Sequence, residues 1–482
     1  MSVLHNCEPK KVFEFFELLS SVPHGSGNTK QISDLCVKFA LERGLEVHQD
    51  ETNNVIIVKS ASSGYEDADP IILQGHLDMV CASIENCPVD LTKQGPQLAV
   101  DGDWVHAVGT SLGGDNGIAV AMIMAILDDN TLSHPRLEAV FTVDEETGMD
   151  GAQALDMSLL KGRKLINLDS EDEGVITAGC AGGVRVNCTL PAKRETIPEG
   201  FQLAKLEISG LSGGHSGVDI DKGRASSNKL MARFLNACAN KFDIRIVSLD
   251  GGTLDNVIAS NTVCTLAASK ADMDGIKALS EKYDAIYKNE YSTGDPGVCL
   301  TFTQTYGDAL CVIKQDSLNI IYVLMNTPFG VQHMSMDIPG LVQTSLNLGP
   351  LHLKEQLEFS FSLRSSILSQ KEYMVEQLES IIKNAGGSIS THNSYPGWEF
   401  NKNSELRQLI INTYKEMTGE DMIVTAIHGG LECGLFIDKT PGLDCVSLGP
   451  NMRDVHSVRE RLSISSTARL YELMIKVLSD AK

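Results

Sequence analysis

Two hydrophobic textures divide the chain. In the first part, short, mainly apolar runs recur at 54–58, 71–73, 137–143 and 164–168. Runs of this length, rich in Val, Ile and Leu, predict strands buried on both faces. Residues 12–19 set apolar positions around Glu14 and Glu17 and predict an amphipathic helix. Residues 117–127 are apolar nearly all round and predict a helix enclosed on every side. Buried strands alternating with helices predict an α/β domain with a largely parallel central sheet.

The pattern changes near residue 185. Residues 202–208 alternate apolar and polar, as a half-exposed strand does. Further strands are predicted at 244–249, 262–268, 342–348 and 357–364, with helices at 226–239, 274–291 and 371–384. This grammar predicts an α+β insert built as two similar layers side by side, although no internal repeat is legible. The first texture then returns, with helices at 404–417 and 466–478 and strands at 422–427 and 444–448. The expected organisation is one α/β domain formed by 1–184 and 393–482, interrupted by an insert at 185–392.

A length of 482 residues agrees with two domains. Lys and Arg total 40 against 63 Asp and Glu, a net charge of −23. A polyanion gains nothing from counterion release, so nucleic acid is not an expected partner, nor is an anionic membrane surface. The longest apolar run, 117–127, is only about half a membrane span. Twelve cysteines are scattered without a C-x-x-C pair, and neither an apolar signal core nor a lipid-anchor motif is legible. These features predict a cytoplasmic chain with reduced thiols and no cysteine zinc site. The Gly-rich stretches 181–183 and 213–217 have neither a Walker lysine nor G-x-G-x-x-G after a strand, which argues against nucleotides.

Chemistry concentrates after the predicted strands. His76-Leu77-Asp78 follows 71–74, Asp144-Glu145-Glu146 follows 139–143, and Asp169 ends 165–168. Asp115 lies in Gly113-Gly114-Asp115-Asn116-Gly117, just before the buried helix. Singly, each is ordinary: a capping pair, a solvated acidic loop, an N-cap. Together, at the carboxyl ends of parallel strands, they form an imidazole and carboxylate set suited to borderline divalent ions, zinc above all. His76, Asp115, Glu146 and Asp169 supply four ligands. Two ions sharing one carboxylate need about one more, and His456, after the strand 445–448, is the best candidate. Asp78 is placed to accept the second ring N–H of His76. Glu145, beside a ligand, is the expected general base.

The segments 73–80, 112–117, 144–151 and 167–171 resemble motifs of the cytosol non-specific dipeptidases, also called aminoacyl-histidine dipeptidases. These belong to the di-zinc amidohydrolases that include carnosinases and N-acyl-amino-acid deacylases. The resemblance extends to 213–217, 251–254 and 428–434. It implies a catalytic α/β domain and an inserted lid. It implies that Asp115 bridges two Zn2+, with Co2+ or Mn2+ as alternatives, that His76 and Asp169 complete one site, and that Glu146 and His456 complete the other. Glu145 would be the base and Asp78 the orienting acid. In the lid, His215 would polarise the scissile carbonyl, and Asn256 and Arg364 would contact substrate, Arg364 gripping a carboxylate. Glu432 joins the candidate substrate contacts, and His428 is read as structural or as part of the substrate wall. The implied reaction is hydrolysis of unblocked dipeptides, Xaa-His among them, by a metal-bridging hydroxide. A small peptide is the implied partner, and relatives often dimerise through the lid. After His456-Ser457 the family usually carries a Pro and an acidic residue, where this chain has Val458, Arg459 and Glu460. An altered charge at the pocket mouth is the expected consequence. An N-acyl-amino-acid amidohydrolase would use the same metal site. A catalytically inactive binding protein would have lost a ligand or the base, yet all seven residues are present.

Overall fold

A computed structural model describes residues 3–482. Contacts within the chain define two compact units. The first comprises the segment ending at Cys180, with Trp398–Ala426 and Leu431–Lys482; the second comprises Ala181–Gly397 and Ile427–Gly430. The insert thus opens at 181 rather than 185 and closes at 397 rather than 392. Positions 185 and 392 lie inside two paired strands, Gly182–Pro191 and Ser388–Tyr395, where Arg185 and His392 are cross-strand partners. The short return at Ile427–Gly430 leaves no periodic trace in the sequence.

The first unit is built on an eight-stranded sheet. Its order is Glu46–Gln49, Val55–Lys59, Leu137–Thr142, Ile71–His76, Lys164–Asn167, Asp444–Ser447, Val175–Cys180 and Ile423–Ile427. The strands from Leu137–Thr142 to Asp444–Ser447 run parallel, with Ile71 facing both Leu137 and Lys164, and Asp444 facing Lys164. Val55–Lys59 pairs antiparallel with Leu137–Thr142, as does Val175–Cys180 with Asp444–Ser447. The sheet is therefore mixed, with a parallel centre. The four middle strands are joined by the crossover connections that parallel pairing requires.

The helix Gly114–Asp128 is enclosed from Gly117 to Leu127. Burying each of its Ile and Leu side chains contributes roughly 1.5–3 kcal/mol. The helix packs on Lys10–Leu19, close enough that a Cβ on Gly117 would stand 3.2 Å from the Phe16 ring. At its C-terminal end Lys59 Nζ donates to the carbonyls of Ile126 (3.2 Å) and Asp129 (2.7 Å), satisfying groups the helix leaves open. A small antiparallel sheet, unmarked by any long apolar run, orders Met452–Arg453, Arg461–Ser463, Trp104–Ala107 and Leu98–Asp101.

The second unit carries a nine-stranded sheet, whose recorded strand pairs are all antiparallel. Its two halves join only where Asp250 and Gly251 pair with His352 and Leu351. The two layers expected from the sequence are thus one continuous sheet with a narrow waist. Helices Ser227–Ala239, Met273–Glu290, Lys314–Asn326 and Leu368–Asn384 and a two-stranded sheet of Arg194–Thr196 with Leu310–Val312 also belong to the unit. Among the described residues no helix is long and apolar enough to cross a membrane. All twelve cysteines are free.

Candidate metal centre

Three adjacent parallel strands end side by side, so their next residues converge. His76 closes the central one. On one flank the chain leaves Leu137–Thr142 through Asp144, held at φ 56°, and begins the short helix Glu145–Gly148. On the other flank Asp169 follows Lys164–Asn167. Asp115 enters from the start of the buried helix, where its own backbone is extended (ψ 105°). Asn116 fixes this approach. Its Oδ1 accepts the His76 N–H (3.1 Å), and its Nδ2 donates to the Leu168 carbonyl (2.8 Å). Gly75 makes room for it, since a Cβ there would stand 2.5 Å from Asn116 Oδ1.

The two oxygens of Asp115 face different imidazoles. Oδ1 lies 3.2 Å from His76 Nε2, which is also 3.5 Å from Asp169 Oδ1. Oδ2 lies 3.1 Å from His456 Nε2, which is 2.9 Å from Glu146 Oε1. His76, Asp115 and Glu146 offer ligand atoms within 4.8 Å of one another. His456 does not simply follow its strand. It sits at φ 59° in the hairpin between Met452–Arg453 and Arg461–Ser463. Left-handed backbone at non-glycine residues costs on the order of 1–3 kcal/mol and gathers at functional sites.

These groups crowd negative charge into a buried space, and their protonation shows it. Burial pushes the Asp169 carboxyl up to about 7 against the opposing pull of the His76 imidazole. Burial alone would depress His76, but hydrogen bonds to Asp115 and Asp169 hold it well above its ordinary value. Asp115 and Glu146 lift His456 to about 11. Asp115, burial notwithstanding, is held far below the carboxylate range by both imidazoles. Protonated imidazoles thus supply the positive charge these carboxylates require. Glu146 Oε1 is buried and receives no well-directed hydrogen bond. Buried carboxylates, two imidazoles and no thiolate form a donor set that fits a borderline divalent cation such as zinc, cobalt or manganese.

Asp78 is placed differently from its expected position against His76. His76 Nδ1 is 2.9 Å from the Asp78 backbone carbonyl, which accepts its N–H, whereas the Asp78 carboxylate is 3.5 Å away, beyond hydrogen-bonding range. That carboxylate instead accepts from Ser26 Oγ (2.8 Å), Glu145 N (3.1 Å) and Glu146 N (3.3 Å). It secures the segment bearing Glu145 and Glu146. Burial raises Glu145 well above the usual carboxylate range, reinforced by Asp169, Glu432 and Glu146 against the opposing pull of His76.

Glu432 is fully enclosed, which does not suit a substrate contact. Its Oε2 accepts from Gln74 Nε2 (2.6 Å) and Thr142 Oγ1 (2.8 Å), and Gln74 Oε1 accepts from Asn167 Nδ2 (2.5 Å). This network lies one side-chain alternation below His76 and links all three strand ends. Glu460 departs from expectation as well. It is 3% exposed rather than displayed at a pocket mouth, because the backbone of the Asp115 loop surrounds its carboxylate.

The remaining candidates lie in the second unit. His215 Nδ1 accepts from the N–H groups of Gly217 and Val218, both 3.3 Å away, so the ring proton of the neutral form belongs on Nε2. Burial, then the Arg364 charge, lower its pKa and favour that neutral form. Arg364 is 7% exposed and its Nε has no partner. The Asn256 backbone carbonyl accepts from Ser216 N at 2.8 Å, tying it to the His215 loop. His428 Nε2 lies 2.7 Å from Ser345 Oγ, and burial together with Arg364 lowers its pKa to about 4.

Known proteins are similar to this chain over nearly its whole length. The chain is 38% identical over 481 residues to the cytosol non-specific dipeptidase of Escherichia coli (strain K12), covering 100% of this chain and 99% of that protein. The crystal structure of an aminoacylhistidine dipeptidase from Vibrio alginolyticus superposes with a TM-score of 0.95 at 35% identity, over 99% of this chain and 98% of the other. An aminopeptidase PepT from Bacillus cereus shares the fold at a TM-score of 0.58 and 16% identity, over 98% and 99%. Residues 72–480 match the model of peptidase family M20/M25/M40, and the chain belongs to that family.

Proposed function

We propose that this protein is a metal-dependent dipeptidase with two divalent cations, zinc first among the candidates. The observation that carries this reading is the split of Asp115 between two imidazoles, with one further carboxylate on each side. His76, Asp115 and Asp169 would hold one cation, and Asp115, Glu146 and His456 the other. When bound, such cations polarise a carbonyl and make water acidic enough to attack it near neutral pH.

The chain's own residues do the rest. Glu145, beside the ligand Glu146, takes the proton from the attacking water as general base. It then releases that proton to the nitrogen of the departing amine. Asp78 holds the backbone of Glu145 and Glu146 so that base and ligand keep their spacing. His215, with its proton on Nε2, is suited to donate to the carbonyl oxygen as charge develops there. Arg364, buried with an unpartnered Nε, is suited to the peptide's terminal carboxylate, and Asn256 to a neighbouring polar contact.

Metal titration of the chelator-treated protein tests this reading. Activity on an unblocked dipeptide should vanish on chelation and return as two zinc ions bind per chain. Asp115→Ala should reduce bound zinc. Full zinc content in that variant would refute the shared-ligand assignment.

A further inference from the structure

The loop that carries Asp115 begins the buried helix, and the first turn of a helix leaves its N–H groups unsatisfied. A side chain at the N-cap usually meets that need. Here the N-cap is Gly113, at φ 71°, which has no side chain to offer. Glu460, 347 residues further along, fills the role. Its Oε2 accepts from Leu112 N (2.8 Å) and Gly113 N (3.1 Å), and its Oε1 from Gly114 N (2.8 Å) and Asp115 N (3.2 Å). Four successive amides converge on one carboxylate, a concave anion nest occupied by the protein's own side chain. Glycine at 114 leaves the space for it, since a Cβ there would stand 3.2 Å from Oε1.

Glu460 also lies four residues after His456, in the same hairpin. One side chain therefore fastens the Asp115 loop to the segment that presents His456. We infer that Glu460 is a positioning residue for the metal centre: it sets Asp115 Oδ2 against His456 Nε2 before any cation binds. The inference rests on the reading of Asp115 as the shared ligand. Removing one of its oxygens would not abolish the fold. It would free two amides and let Asp115 drift from the geometry that serves both lobes. Asn116 holds the loop from its other side, through His76 and Leu168, and would remain in place.

The test uses the full chain, with Glu138→Gln as a structural control. Glu138 is a comparably buried carboxylate that accepts from Lys161 N and Gly162 N, far back at the opposite end of its strand. Glu460→Gln should raise the zinc dissociation constant about 10–100-fold, the usual range for the loss of an outer-shell partner. Its kcat should fall with little change in KM, while Glu138→Gln should lower thermal stability and leave zinc affinity unchanged. Hydrogen–deuterium exchange supplies a second readout, independent of activity. In the metal-free wild type the peptide spanning 112–116 should be protected, and in Glu460→Gln it should exchange faster. Wild-type zinc affinity and unchanged exchange in Glu460→Gln would overturn the inference. So would an unprotected 112–116 segment in the metal-free wild type, a result that stands even if the variant fails to fold. If Asp115→Ala keeps all its zinc, the underlying metal assignment fails. If Asp115→Ala loses zinc and Glu460→Gln does not, only the positioning role fails.

Discussion

Replacing Asp78 with Asn is the sharpest perturbation of the catalytic segment. The change is isosteric, yet it removes the charge that receives Ser26 Oγ at 2.8 Å and the backbone N–H groups of Glu145 and Glu146 at 3.1 and 3.3 Å. It also turns one oxygen into an amide donor facing a donor. Hydrogen bonds to a charged group contribute about 1.5–3 kcal/mol each, and relief of repulsion from neighbouring carboxylates offsets part of their loss. A net destabilisation of about 2–4 kcal/mol follows. The activity effect should be of a different kind. Glu145 and Glu146 keep their side chains but lose the anchor that spaces them, so kcat should fall about 10–100-fold, or about 1.4–2.8 kcal/mol in the barrier. Ser26→Ala removes only one of the three contacts, so roughly 1 kcal/mol of stability should be lost and kcat nearly retained. Urea unfolding gives the first quantity, and turnover at saturating dipeptide and fixed zinc gives the second. An Asp78→Asn protein with wild-type kcat, or a Ser26→Ala protein equally impaired, would refute this reasoning.

Three further outcomes follow from the site. Glu145→Ala should retain zinc by elemental analysis and lose nearly all turnover, about 10²–10⁴-fold for a general base; substantial residual activity would exclude Glu145 as the base. The metal-free protein should lose stability as pH rises from 6 to 8. Asp169 at about 7, Glu432 at about 8 and His456 at about 11 all lie above their unfolded values, so the folded state holds more protons across that window. Asp115, shifted the other way, acts only at strongly acidic pH. Thermal denaturation of the chelated protein at several pH values checks the slope, and zinc should flatten it by replacing those protons. Glu432→Gln should flatten part of the same slope without zinc, because it removes a buried carboxyl whose Oε1 has no partner; a slope unchanged from wild type would contradict this.

What the sequence makes legible is whatever leaves a local period. The buried strands at 71–73, 137–143 and 164–168 betray themselves by short, mainly apolar runs, and the residues after them therefore share one edge. That argument brings His76, Asp115, Glu146 and Asp169 to one place, and the structure does bring them together with His456. The polar strand Cys299–Thr305 and the short helix turns give no such signal. Contacts between residues hundreds of positions apart leave none at all. Glu460 reads as one more acid in an acidic chain until the amides around it are seen. Asp78, two residues from His76, suggests a carboxylate–imidazole pair, but the strand end turns so that the backbone carbonyl meets the ring and the carboxylate turns toward Glu145. Glu432 meets Gln74 and Thr142 because the helix it begins, Glu432–Lys439, packs against the same sheet.

The most direct test of the account is a hydrolysis panel on the zinc-loaded protein: unblocked dipeptides including Xaa-His, tripeptides, and N-acetyl amino acids. The account predicts cleavage of the dipeptides, with little turnover of the longer or acylated substrates. Preferential hydrolysis of N-acetyl amino acids would assign the same metal centre to a different amide, and no hydrolysis of any of them would contradict the central claim.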